Sequence, residues 1–279
     1  MSVNSINITN RIFPSCIVLL SFFIPSFSSA EDVAVLLDKA IAGQHREQKN
    51  IERDIYRHPR GTLLFFGLQP AMHVLEILPG EGWYTEILAP VLKDNGQLTV
   101  ASFGADHPVE YFSTRHKDYV RKLDTNPGVY DKVIVTVFHT DRYLASIADN
   151  SMDMVVTFRN THNWIKDGVA DEIYQAFYRV LRPGGILGVE QHRAGPGSDA
   201  LESAKNGYVP ETYLIELAKR SGFRFIASSE INANPKDTRD HPKGVWTLPP
   251  TYRLGDEDKG KYAAIGESDR MTLKFTKPE

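Results

Sequence analysis

His73-Val74-Leu75-Glu76-Ile77-Leu78-Pro79-Gly80-Glu81-Gly82-Trp83-Tyr84-Thr85-Glu86-Ile87-Leu88-Ala89-Pro90-Val91-Leu92 reads as a strand, a tight turn and a helix. Val74, Leu75 and Ile77 form a short apolar run of the kind buried on both faces of a parallel sheet. Glu76 interrupts that run, and a carboxylate near the end of a buried strand demands a partner. Pro79, Gly80 and Gly82 supply the turn, since glycine lets backbone approach a ligand closely. Thr85 to Leu92 then starts a helix whose first amides can face a polar or anionic group.

Strands and helices alternate outward from this unit. Gln97 to Ala101 reads as a second strand, Val109 to Leu123 as a helix, and the β-branched run from Lys132 to Phe138 as a third strand. Met154 to Phe158 is a fourth strand. It opens onto Arg159-Asn160-Thr161-His162-Asn163-Trp164, the densest polar cluster in the chain. A helix built on Ile173, Ala176, Phe177, Val180 and Leu181 ends at Arg182-Pro183-Gly184-Gly185, and Ile186 to Glu190 follows as a fifth strand, with Gln191-His192-Arg193 at its end. Residues 194 to 206 read as flexible. Val209 to Ser221 is a helix, Phe223 to Ser229 a strand, and Arg270 to Thr276 the last strand. The alternation predicts an α/β fold: a doubly wound, mostly parallel sheet flanked by helices. In such a sheet ligands bind beyond the carboxyl ends of the strands.

The opening unit resembles the first motif of class I S-adenosylmethionine-dependent methyltransferases, in which an acid ends strand one and a Gly-x-Gly-x-Gly turn follows. Here the acid falls on Glu76 and the glycine positions on Leu78, Gly80 and Gly82, with Pro79 between the first two. The acid that ends strand two in that family falls on Ser102, with Asp106 nearby. Asp141 and Asp153 take the places of two later acids, the first beside the adenine. The Arg-Pro-Gly-Gly turn and an antiparallel closing strand complete the order. The whole is similar to a group of exported bacterial proteins named predicted methyltransferases. That likeness is carried by residues 81 to 90, by Gly244-Val245-Trp246-Thr247-Leu248-Pro249-Pro250 and by Gly266-Glu267-Ser268-Asp269-Arg270-Met271.

The resemblance implies a Rossmann-like methyltransferase domain, S-adenosylmethionine as cofactor and a small-molecule acceptor. The cofactor site would comprise Glu76, Leu78, Pro79, Gly80, Gly82, Ser102, Asp141, Arg159 and Asn160. Leu78 and Ser102 depart from the motif and predict weak cofactor binding. His162 and His192 close adjacent strands and are the candidate catalytic pair, because imidazole titrates near neutral pH. Trp83, Tyr84, Trp164 and Trp246 are candidates for an aromatic pocket. A non-catalytic exported binding protein on the same scaffold is the alternative. His139, Asp141, His162 and His192 gather near strand ends, but no close ligand spacing supports a metal, and none is expected.

Residues 1 to 30 read as a signal peptide: Arg11 is their only charged side chain, Cys16 to Ile24 is a short apolar core, and Ser28-Ser29-Ala30 offers a cleavage site. The remaining chain, 31–279, reads as one domain in the periplasm or outside the cell, without stable membrane insertion. Residues 31–68 form a helical cover and 232–266 a long loop or lid carrying Trp246 and Tyr252. Cys16 is the only cysteine, so the mature chain has no disulfide or thiolate site. A net charge of −3 on 279 residues, with 24% charged and 42% apolar content, gives no reason to expect a nucleic-acid partner.

Overall fold

The structure, a computed structural model, describes residues 1–2 and 30–279. The signal-peptide reading of residues 1 to 30 therefore falls almost entirely outside the described residues.

Four helices come first: α1 (Ala30–Ile41), α2 (Gln48–Ile51), α3 (Asp54–Arg57) and α4 (Pro59–Phe66). Pro59 occupies the first turn of α4, where a missing amide proton costs nothing, and Gly67 ends the helix in the left-handed conformation. Then follow β1 (His73–Ile77), α5 (Thr85–Leu92), β2 (Gln97–Ser102), α6 (Glu110–Asp124), α7 (Pro127–Tyr130), β3 (Ile134–Val137), β4 (Met152–Phe158) and α8 (Thr161–Lys166). The chain continues through α9 (Ala170–Val180), β5 (Leu181–His192), α10 (Ala200–Lys205), α11 (Glu211–Arg220), β6 (Arg224–Ser229), α12 (Lys259–Ile265) and β7 (Arg270–Thr276).

The seven strands form one sheet in the order β3-β2-β1-β4-β5-β7-β6. The first five in that order are parallel, and β7 runs antiparallel to both β5 and β6. The direction of winding reverses between β1 and β4, which opens a crevice at their carboxyl ends. β7 pairs His192 with Arg270, so an antiparallel strand delivers its first residues to the rim where the parallel strands finish.

Both faces of the sheet are covered. Val74, Leu98, Val100, Met154 and Val156 pack on one side with Leu37, Leu63, Phe66, Ile87 and Leu88 from α1, α4 and α5. Leu75, Ile77, Val155, Leu187 and Leu273 pack on the other with Ile173, Phe177, Leu214 and Leu217 from α9 and α11. This two-sided burial is why β1 and β4 carry apolar residues on both faces, Val74 and Leu75 in one and Met154, Val155 and Val156 in the other, rather than alternating with polar ones. Each fully buried side chain of this size contributes about 1.5–3 kcal/mol relative to exposure.

Three sequence expectations change. The segment after β4, read as a polar cluster with no secondary structure assigned, forms helix α8 and buries Thr161, His162, Trp164 and Ile165. Residues 194 to 206, read as flexible, contain α10, capped by Asp199, whose Oδ1 accepts from the amides of Leu201 and Glu202. Arg182-Pro183-Gly184-Gly185 does not precede β5 but lies within it. Leu181 pairs with Met152, the register shifts, and pairing resumes at Ile186 with Met154. Between these points Gly184 takes φ +74°, a left-handed conformation that favours glycine.

Candidate functional site

A cleft of about 810 Å³ lies at the carboxyl ends of β1, β2, β4 and β5. Its floor is the turn after β1. Leu78 enters that turn with φ +48°, held by its amide donating to the Ala101 carbonyl at 2.8 Å. A leucine thus occupies a left-handed position that glycine would take without strain. Pro79 and Gly80 also line the cleft, and a Cβ built on Gly80 would meet no atom within 4 Å. Backbone is therefore exposed to a ligand there. Gly82 behaves differently. It is buried, does not line the cleft, and a Cβ on it would come within 3.0 Å of the Tyr119 ring. Its role in the structure is to let Tyr119 pack.

Glu76 sits in the cleft wall with its side chain buried. Its Oε2 accepts from Thr85 Oγ1 at 2.7 Å, and Thr85 Oγ1 in turn lies 3.1 Å from the Tyr119 hydroxyl. Oε1 has no protein partner among the described residues. Burial pushes the carboxyl up to about 7, against the lowering effect of the Thr85 hydrogen bond. Ser102 ends β2 in the same cleft, its hydroxyl 3.3 Å from His116 Nδ1. Around it Phe103 stacks on Phe112 with ring centroids 4.3 Å apart, and His107 packs edge-on against both. Asp141 does not line the cleft. It is exposed, and its Oδ1 accepts from Thr140 Oγ1 at 2.8 Å and from the Arg142 amide at 3.0 Å. The expected place beside an adenine is not where its carboxylate points, because the loop folds it back on its own neighbours.

Arg159 and Asn160 follow β4 directly into the crevice. Asn160 Nδ2 donates to the Ile77 carbonyl at 3.1 Å and ties the ends of β1 and β4 together. Arg159 has φ +62°, an unfavourable conformation for a residue other than glycine, and its amide donates to the Glu190 carbonyl at 2.7 Å. Arg159 Nη1 donates to Glu190 Oε1 at 2.9 Å. Glu190 Oε2 accepts the Tyr84 hydroxyl at 2.8 Å, and Tyr84 stacks on Phe158 with centroids 3.4 Å apart.

His162 and His192 both line the cleft, with ring centroids 5.8 Å apart. Gln191 Nε2 donates to the Gly207 carbonyl at 3.0 Å, which fixes the orientation of the amide. The same nitrogen lies 3.2 Å from His162 Nδ1 and donates to it. A neutral His162 therefore carries its proton on Nε2. Burial holds His162 down at about 4. Burial holds His192 well below its ordinary value, followed by the neighbouring His162, Arg159 and Arg270. His192 Nδ1 is 2.5 Å from Ser268 Oγ. Trp246 packs edge-on against His162 at 5.8 Å, while Tyr252, on the same long segment, does not line the cleft.

No family model matches the chain, and no curated protein matches it. Solved structures do. A methyltransferase described as S-adenosylmethionine-dependent, from Aquifex aeolicus, aligns over 89% of this chain and 98% of its own, with a TM-score of 0.53 and 14% identity. The fold is that of the S-adenosylmethionine-dependent methyltransferases. The cyclase SpnF aligns over 88% and 93%, with a TM-score of 0.56 and 16% identity. Phosphoethanolamine N-methyltransferase 2 from Haemonchus contortus, solved with S-adenosyl-L-methionine, aligns over 90% of this chain and 58% of its own, with a TM-score of 0.52 and 18% identity. A cyclase among these neighbours shows that the methyltransferase fold alone does not fix the reaction.

Sequence reading missed several residues that the fold brings to the cleft. Arg53 arrives from the loop between α2 and α3, and Glu267 and Ser268 from just before β7. Glu190 carried a signal, a carboxylate within an apolar strand, which requires a partner. Arg53 carried none. Among the described residues no group of three His, Cys, Asp or Glu side chains is placed to hold a metal, and no helix is long and apolar enough to cross a membrane.

Proposed function

We propose that this protein is an S-adenosylmethionine-dependent methyltransferase acting on a small molecule. The observation that carries the reading is the coincidence at the β1–β4 crevice of an open glycine turn and a buried carboxylate with a free oxygen. The Leu78-Pro79-Gly80 turn and Glu76 Oε1 would hold the cofactor, with Ser102 and Asn160 at its flanks. Bound there, the cofactor supplies an electrophilic methyl group. The fold's neighbours, which include a methyltransferase solved with S-adenosyl-L-methionine, support the cofactor class.

The chain's own contribution is positioning. His162 faces Gln191 with its acceptor nitrogen, so its Nε2 proton is available as a hydrogen-bond donor to an acceptor molecule. Low basicity suits both imidazoles to orienting a substrate more than to removing its proton. Trp164, Trp246 and the stacked Tyr84 and Phe158 exclude water around the reacting groups. We further propose that the chain is exported, on the strength of residues 1 to 30, and that it works in the periplasm or outside the cell.

The alternative, a non-catalytic binding protein, is favoured by one observation: the Ser102 hydroxyl, where the family places an acid, is directed to His116. Calorimetry with S-adenosylhomocysteine tests the proposal. Saturable binding that Glu76→Ala abolishes supports it. A folded protein that binds neither S-adenosylmethionine nor S-adenosylhomocysteine at millimolar concentration overturns it.

A further inference from the structure

Behind the histidines, four guanidinium groups converge on two carboxylates. Arg53 Nε donates to Glu267 Oε1 at 2.6 Å, and Arg57 Nε to Glu267 Oε2 at 3.4 Å. Arg270 Nη1 bridges Glu267 at 3.0 Å and Glu190 at 3.3 Å. Arg159 completes the group on Glu190. No third carboxylate lies within ion-pair reach of these arginines among the described residues, so the cluster holds two more positive charges than negative ones. The neighbouring histidines are neutral and add none. Burial, and then the neighbouring Arg159, pull Arg57 well below its ordinary value.

Such an excess is costly inside a protein unless an anion compensates it. Arg53 and Arg159 line the cleft, while Arg57 and Arg270 stand behind them. The two terminal nitrogens of Arg53 and Nη2 of Arg159 have no acceptor among the described residues. The cluster belongs to the ends of β4, β5 and β7. Ser102 and the aromatic group around Phe103 lie at the end of β2, on the other side of β1.

We propose that Arg53 and Arg159 bind an anionic oxygen group, a carboxylate or phosphate, carried by the acceptor molecule. Guanidinium suits either group, because its fork of donors matches two oxygens at once. Assigning the group to the acceptor rests on the methyl-transfer reading, which places the cofactor over the turn after β1, between Ser102 and Asn160. The anion site itself does not.

Calorimetry with benzoate, phenyl phosphate and the neutral benzamide tests this. Benzoate or phenyl phosphate is expected to bind, the tighter of the two naming the group. Benzamide is expected to bind at least about 10-fold more weakly. Arg53→Gln should weaken the anion about 10- to 100-fold, and Arg53→Lys should recover part of the loss. Arg159→Gln gives the same comparison if Arg53→Gln does not fold. Equal binding of benzamide, or no anion binding by the folded protein, overturns the site. A parallel titration uses S-adenosylhomocysteine and 5′-methylthioadenosine, which lacks the amino-acid carboxylate. If Arg53→Gln weakens the first and spares the second, the cluster holds the cofactor's carboxylate and the assignment to the acceptor fails. Benzoate binding as described without any S-adenosylhomocysteine binding would leave the anion site standing and remove the methyl-transfer reading alone.

Discussion

His162 and His192 stand with ring centroids 5.8 Å apart at the ends of neighbouring strands, each anchored by a different partner, Gln191 for one and Ser268 for the other. The pair is brought together by the parallel pairing of β4 with β5, which sets Phe158 opposite Glu190 and so carries both chain ends to the same rim.

His162 should stay neutral down to about pH 4. Its folded value lies below the ordinary 6.5, so between these values the unfolded chain binds a proton that the folded chain does not. Stability from this group is fully present above 6.5 and is lost as pH falls toward 4. Nuclear magnetic resonance of the ring protons gives the value directly. A midpoint near 6.5 would show that the imidazole is solvated and that its tautomer is not fixed. In turnover, His162→Ala should lose about two orders of magnitude, the cost of one aligned donor.

Glu76 titrates in the opposite sense. Its folded value, about 7, lies above the unfolded one, so the folded chain holds a proton that the unfolded chain releases. This contribution is present below about 4.5 and is lost as pH rises to 7, by about 3 kcal/mol at most. Glu76→Gln should flatten that part of the profile. Denaturant melts at a series of pH values measure it; parallel profiles for the two proteins would refute the raised value.

Gly80 is open to the cleft and left-handed at φ +62°. Gly80→Ala should fold with a penalty of about 1 kcal/mol from the backbone alone. Gly80→Val adds bulk directed into open space and should abolish binding of S-adenosylhomocysteine. Binding unaltered by valine would place the cofactor elsewhere.

Tyr84→Phe keeps the ring that stacks on Phe158 and removes the hydroxyl from Glu190. Leaving that buried carboxylate oxygen without its donor should cost about 1–3 kcal/mol. Chemical denaturation measures the loss, and a change below about 0.5 kcal/mol would mean that water or Arg159 takes over the contact.

The sequence by itself determined the sheet and most of its elements. Thr85 to Leu92 and Arg270 to Thr276 were readable to the residue, because apolar runs, glycine stops and helical spacing are local signals. It also named much of the cleft, since Glu76, Pro79, Gly80, Asn160 and the two histidines sit where strand ends must lie. It did not separate Gly80 from Gly82, because which glycine faces a ligand depends on whether a side chain such as Tyr119 fills the space behind it. Nor did it find that Asp141 points away, that the polar stretch after β4 coils into α8, or that Arg53 meets Glu267 across 214 positions of chain. An ion pair between residues so far apart leaves no periodicity to read. Only tertiary structure decided it, when the antiparallel entry of β7 carried Glu267 to the rim and the N-terminal helices closed over it.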